Sequence, residues 1–380
     1  MQPRILVASN YNDGMALFNA LSFDFCRVAG ETSGADIVAP DEIVRGKIGE
    51  AMATLVMKGS RALGMTRPTL LKPVTIESDY DLFFYVCMSP KHLADLKAIR
   101  GWRERSGKAA VFIFETWSKW LSRDRAHLKM LDAFDHVFLF NKASIPNVQA
   151  YTSSPCSFLA AGADCLSATP FPHNPARTID VYSMGRRSEP THRQLIAMAR
   201  NSEIFYLFDP GSGLRVYDFA QARLLTLNNI KRCRYFVAYS LSVGTKALES
   251  AGEEALPARI FEGAAGGAAM IGTAPRCPEF HEYFDWPDAI IEIPVEPDDI
   301  RSILKDLDSD VERLEQVRFR NAMQSLRRHD WVYRWEHVLT TLGFDIPRGV
   351  AERRSALHSL ADAAEADEHR RRMTRMAAPA

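Results

Sequence analysis

The chain of 380 residues carries 47 Lys and Arg against 47 Asp and Glu, and 47% of it is hydrophobic. A net charge of zero argues against a dedicated polyanion-binding protein, whose affinity comes from surplus positive charge, but leaves room for a local basic pocket around one diphosphate. The length exceeds one ordinary hydrophobic core, so two domains are expected.

The first residues, MQPRILVASN, run directly into a strand pattern, with no charged segment followed by an apolar leader core. No apolar run approaches the ~20 residues of a membrane span. The expectation is a cytoplasmic protein, with peripheral membrane contact left open. Short apolar runs then recur at Ile5–Ser9 (ILVAS), 82–87 (LFFYVC), 110–114 (AVFIF), 136–140 (HVFLF) and 157–160. Continuous runs, rather than strict alternation, fit strands covered on both faces, as in a parallel sheet. Helix-like stretches at 90–105 and 117–134 separate them, which is a βαβ rhythm. The rhythm pauses at the proline-rich SATPFPHNPARTID (167–180) and resumes with strands at 179–184, 204–208, 235–240, 268–272 and 289–293. The organisation is α/β, with a domain at 1–170, a second at 171–345 and a tail at 346–380. The tail lacks aromatic residues and is expected to be disordered or loosely docked. The six cysteines show no CxxC spacing and are expected to be reduced, mostly buried thiols.

Three stretches carry candidate chemistry. In EEALPARIFEGAAGGAAMIG (253–272), Pro257 suits the first turn of a helix, and Glu254 stands in the loop before it. Free N–H groups at that helix start could meet a diphosphate, and Glu262 could accept hydrogen bonds from a ribose diol. The small residues from Gly263 onward let a backbone or ligand approach closely. In VYSMGRRSEPTHR (181–193), Gly185 opens the loop after a strand, where ligands of open α/β sheets bind, and Arg186 and Arg187 could grip a diphosphate. In the first half, FIFETWSKW (112–120) puts Glu115 and Trp117 at a strand end, and SNYNDG (9–14) supplies Asn10 and Asn12 at the same sheet edge. Aromatic and polar groups so placed suit sugar binding by stacking and hydroxyl hydrogen bonds. His136, at a strand start, reads as a core histidine. GxGxxG, Gx4GK[ST], HExxH and GxSxG motifs are absent, and Asp298–Asp299 reads as a helix cap rather than a metal ligand. Neither a metal nor a cofactor is expected.

In chain order, FDHVFLFNKASIPNV, FLAAGADC, IDVYSMGRR, EEALPARIFEGAAGGAAMIGTAPRCPEFHEYF and SLRRHDWVYRWEHVL resemble the GT-B-fold glycosyltransferases. The likeness is closer to the retaining branch with a Glu–seven–Glu element and its CgeB-like relatives, and it covers most of 130–342. It implies two Rossmann-like α/β domains facing across a cleft, with the nucleotide-sugar donor on the second. By the same resemblance Glu262 holds the ribose and Glu254 faces the sugar near the transferred carbon. Arg186, with Gly185 and Arg187, lies at the diphosphate; Arg259 and Lys246 are the stand-ins for its usual lysine partner, and Gly263 adjoins the donor. Glu115, Trp117, Asn10 and Asn12 fall on the acceptor side. The implied activity is transfer of a hexose from a nucleotide-diphosphate sugar to a glycan or glycolipid, with retention, as in polysaccharide biosynthesis. The alternatives are a catalytically silent binder of nucleotide-sugar or glycan and a nucleotide-sugar epimerase on the same fold.

Overall fold

Each apolar run becomes a parallel strand in a computed structural model that describes residues 2–14, 16–43, 47–209, 215–240, 243 and 250–377. The strands are β1 (Ile5–Ser9), β2 (Asp36–Val38), β3 (Val74–Thr75), β4 (Tyr80–Cys87), β5 (Ile99–Arg100), β6 (Ser106–Ile113), β7 (His136–Leu139) and β8 (Cys156–Phe158) in the first half. The second half contributes β9 (Ile179–Ser183), β10 (Tyr206–Phe208), β11 (Cys233–Ala238), β12 (Ala269–Gly272) and β13 (Ile291–Glu292). They build a six-stranded sheet of order β2-β1-β4-β6-β7-β8 and a five-stranded sheet of order β10-β9-β11-β12-β13; β3 and β5 pair separately. All pairings within both main sheets are parallel.

The unbroken apolar runs follow from burial on both faces. Leu6, Phe83, Tyr85 and Val111 pack into a core on one side of the first sheet, and Ile5, Val7, Phe84 and Phe112 into a core on the other. In a pleated strand successive side chains point to opposite faces, so both sets must be apolar. One of these cores continues through helix Trp331–Thr341, where Trp331 stands 5.5 Å from Phe25 and Trp335 stands 5.3 Å from Phe84, centroid to centroid.

Two expectations are corrected. The segments 90–105 and 117–134 are not long α-helices; the first is a 3-10 helix at Pro90–Ala98 leading into β5, and the second a string of short turns. Each carries a row of buried apolar residues at every third position, Leu93, Leu96 and Ile99 in the first and Leu128, Leu131 and Phe134 in the second, among other buried positions. That spacing suits three residues per turn. Nor is the end of the chain a loose tail. Arg348–Ala377 is one helix, which buries Val350, Leu357 and Ala361 and sends Arg353 between Asp164 and Asp330 at 2.6 and 2.8 Å. Asp299 does cap a helix, accepting from the Arg301 N–H at 3.0 Å. All six cysteines are unpaired and five are buried. Among the described residues no helix is long and apolar enough to cross a membrane.

Candidate functional site

The carboxyl ends of the two sheets border a cleft of about 510 Å³. From the first half come Met88 after β4, Phe114 and Glu115 after β6, Phe140 and Asn141 after β7, together with Leu17, Phe18 and Trp117. The second half adds Met184, Gly185 and Arg186 after β9, Asp209 after β10, and Pro257, Ala258, Arg259 and Glu262 at the start of helix Ala258–Ala265. Apolar groups dominate the first wall and charged groups the second. Glu115, Trp117, Gly185, Arg186, Arg259 and Glu262, all singled out in the sequence, therefore meet in one place.

The loop after β9 is held from two sides. Gly185 has φ +66°, where a side chain is strained, and a Cβ there would stand 3.4 Å from the Arg259 guanidinium. Its N–H donates to the Asp209 carboxylate at 2.7 Å, and that carboxylate also takes the Arg187 guanidinium at 2.8 Å. Arg187 is thus engaged as a brace of the loop. On the other side the Arg259 guanidinium donates to the carbonyls of Met184 at 3.2 Å and Arg186 at 2.5 Å. Burial, with the neighbouring Arg186 charge, pushes Arg259 down to about 10, which leaves it cationic at neutral pH. Arg259 and Arg186 give this wall a fixed positive field beside the first turn of helix Ala258–Ala265, whose free N–H groups add to it.

Glu262 is nearly enclosed, with 3% of its surface exposed, and its Oε1 lies 2.6 Å from the Arg223 guanidinium. Arg223, on helix Phe219–Arg232, also donates from Nε to Asp24 at 2.7 Å. Asp24 belongs to helix Ala20–Ser33 of the first half, so a buried Asp–Arg–Glu chain crosses between the halves directly beside the cleft. Burial pushes the Asp24 carboxyl up to about 6, against the opposing pull of Arg223. A second tie comes from Glu253, which accepts from the Ser118 N–H at 2.9 Å and from the Asn141 amide at 3.3 Å. Asp24, Arg223 and Asp209 carry no motif, whereas Asn141 stands at the strand end where the sequence places polar groups.

Other expected residues lie elsewhere. Glu254 borders a separate cavity of about 800 Å³, with Ser240, Thr273, Arg276 and Glu292 at the ends of β11, β12 and β13. Asn10 is buried and donates to Asp95 at 2.9 Å, and Asn12 donates to the Ala39 carbonyl at 3.0 Å; both fasten loops and neither lines the cleft. Gly263 faces the core, where a Cβ would lie 2.7 Å from both Met270 and Phe236, so its role there is close packing of helix on sheet. Lys246 lies outside the described residues. His136 stays on its strand, its Nε2 hydrogen-bonded to Ser157 at 2.8 Å.

No sequence-family profile matches the chain, and no curated protein matches it by sequence. Solved structures do match its shape. The Anabaena protein HepE in complex with UDP-glucose aligns with a TM-score of 0.53 at 11% identity, over 90% of this chain and 99% of that one. An alpha-glucosyltransferase in complex with UDP-glucose and DNA containing an abasic site aligns with a TM-score of 0.52 at 11% identity, again over 90% and 99%. At such identity the likeness is one of fold. The chain has the GT-B arrangement, two Rossmann-like α/β domains facing across a cleft.

Proposed function

We propose that the chain is a glycosyltransferase that moves a hexose from a nucleotide-diphosphate sugar to a glycan or glycolipid acceptor, with retention at the transferred carbon. The observation that carries this reading is the convergence of Arg186, Arg259 and Glu262 from one half with Glu115 and Trp117 from the other on a single cleft. Both solved structures named above hold UDP-glucose, which supports a nucleotide-sugar donor for the same fold.

In this reading the donor lies along the second half. Arg186 and the first-turn N–H groups of helix Ala258–Ala265 face the diphosphate, and their charge counts most as the diphosphate departs and negative charge develops. Arg259 does not touch the donor; it fixes the loop that carries Arg186. Glu262 meets the ribose at the edge of its contact with Arg223. Trp117 offers a face on which an acceptor sugar stacks, and Glu115 a carboxylate for its hydroxyls. The six unpaired cysteines suit a reducing cytoplasm.

Thermal-shift binding against UDP, GDP, ADP, TDP and their sugars tests the donor site. A base-selective shift that Arg186→Ala weakens for the diphosphate far more than for the nucleoside supports the reading. No shift with any of them refutes it. Two observations favour a catalytically silent nucleotide-sugar binder as the second reading. Glu254 borders a different cavity, and Glu262 is already paired with Arg223. Nucleotide binding without donor turnover over a panel of glycan and glycolipid acceptors would select that second reading.

A further inference from the structure

Charge along this neutral chain is unevenly spread. Residues 43–72 hold six Lys or Arg and a single Glu; Arg67 is engaged by Asp13 and Asp95 and Lys72 by Asp41, and the remaining Arg45, Lys47, Lys58 and Arg61 still outnumber Glu50. Within them Lys47–Ala62 forms a helix, and Met52, Leu55 and Val56 occupy one side of it at spacings of three and four. All three are exposed, Leu55 at 71%, and Leu63 and Met65 continue the apolar strip beyond the helix at 75% and 59%. Exposed Lys58 flanks that strip, and Lys97 stands beside its end, with its ammonium 2.6 Å from the Thr66 hydroxyl. A basic helix with an uncovered apolar side has the pattern of an interfacial helix.

The excursion is firmly stemmed. Ile43 N–H donates to Leu70 at 2.9 Å, Lys72 N–H donates to Asp41 at 2.8 Å, and Glu42 and Leu71 form an antiparallel bridge. Glu42 pairs with Arg215 at 2.8 Å, and Arg215 bridges through its backbone to Ala16, which lines the cleft. The stem therefore stands at the rim of the cleft.

We propose that this helix seats the mouth of the cleft on an anionic lipid surface. The apolar strip enters the acyl boundary, and the cations meet the headgroups. Charge decides between possible occupants. A second copy would bring the same cationic segment against itself, which like-charge repulsion opposes, whereas an anionic bilayer complements it. The inference stands independently of glycosyl transfer, because binding to lipid is read without turnover.

The test is sedimentation of the full chain with vesicles of phosphatidylglycerol and phosphatidylcholine, and with vesicles of phosphatidylcholine alone. Binding to the mixed vesicles is expected, weaker by at least about tenfold on the neutral ones and at raised salt. Leu55→Asp with Val56→Asp is expected to cut binding by about tenfold or more, with Tm unchanged because both side chains are already exposed. Lys58→Glu is expected to weaken binding without affecting the fold. Failure of the wild-type chain to sediment with anionic vesicles would overturn the proposal, as would binding that the Leu55 and Val56 changes leave intact. A dimer in gel filtration that Leu55→Asp splits, without vesicle binding, would assign the face to a second copy and equally overturn it. Capture by an acidic protein in place of the vesicles would do the same.

Discussion

Replacing Arg223 by Met tests whether the buried chain beside the cleft holds the two halves together. Arg223 is the shared cation of two enclosed carboxylates, with Asp24 at 2.7 Å and Glu262 at 2.6 Å, and the three side chains are 8%, 1% and 4% exposed. Methionine fills much the same volume, so the loss is of charge and hydrogen bonds rather than of packing. Removing one partner of a buried pair costs about 3–5 kcal/mol, because the remaining charge is left without water or a counter-ion. For domains of this size that corresponds to a Tm lower by roughly 6–20 °C.

The deficit also has a pH signature. Asp24 takes its proton near pH 6 in the folded chain and near its ordinary 3.8 in the unfolded one. Between those values the native state binds the proton that the unfolded state lacks, so this group favours folding more as pH falls through the window. Without Arg223 the upper edge of the window moves above 6. The Arg223→Met deficit should therefore be largest near pH 8 and shrink toward pH 5, measured by thermal unfolding of both proteins across that range. A Tm within about 2 °C of wild type at pH 8, or a deficit that grows with acid, would refute the argument. Adding Asp24→Asn should restore part of the loss, with a coupling above about 1 kcal/mol.

Four further substitutions probe other parts of the molecule. Arg353→Met leaves Asp164 and Asp330 facing each other without their shared cation, and should cost about 3–5 kcal/mol and open helix Arg348–Ala377 to limited proteolysis; an uncleaved helix would argue that apolar packing alone holds it. His127 is held down to about 4 by burial and by the Arg67, Lys97 and Lys91 charges, so between about 4 and 6.5 the unfolded chain binds the extra proton and stability falls as pH falls. Wild type should lose up to about 3 kcal/mol more than His127→Gln between pH 7 and 4.5, and parallel pH profiles would contradict this. Gly272→Ala should be strongly destabilising, because its Cβ would lie 2.3 Å from the Ala238 carbonyl at φ +155°, while Gly59→Ala, with open space around it, should gain about 0.4–1 kcal/mol in thermal unfolding.

How much of the fold the chain discloses depends on how local the cause is. Strands such as 82–87 and 110–113 stand out because burial on both faces demands apolar residues at every position. β2 is only three residues long at the sheet edge and partly exposed, so it leaves no such run. The last helix is hidden for another reason. Its buried stripe includes Ala361 and Ala364, which are small and common on exposed helices, and its anchor, Arg353, acts through Asp164, 189 positions away. Helix Lys47–Ala62 leaves a fainter mark, because its apolar side at Met52, Leu55 and Val56 stays exposed and ties it to no buried core.

The site divides along the same line. Arg186 and Glu115 were legible because a strand end is a local event, and ligands of open sheets collect there. Arg223 and Asp24 were not, since 199 positions separate them. Yet each left a local mark. Arg223 sits four residues from Phe219 and from Leu227, on the stripe that helix Phe219–Arg232 buries, and Asp24 holds the matching place between Ala20 and Val28. A charge on an apolar stripe must find an opposite charge or carry a large desolvation cost. Two such charges of opposite sign, one in each half, are a sufficient reason to expect a tie between the halves. Because that tie ends on Glu262, a ligand that competes for its carboxylate would weaken the contact between the halves, and opening of the cleft would be coupled to whatever occupies the wall that Glu262 lines.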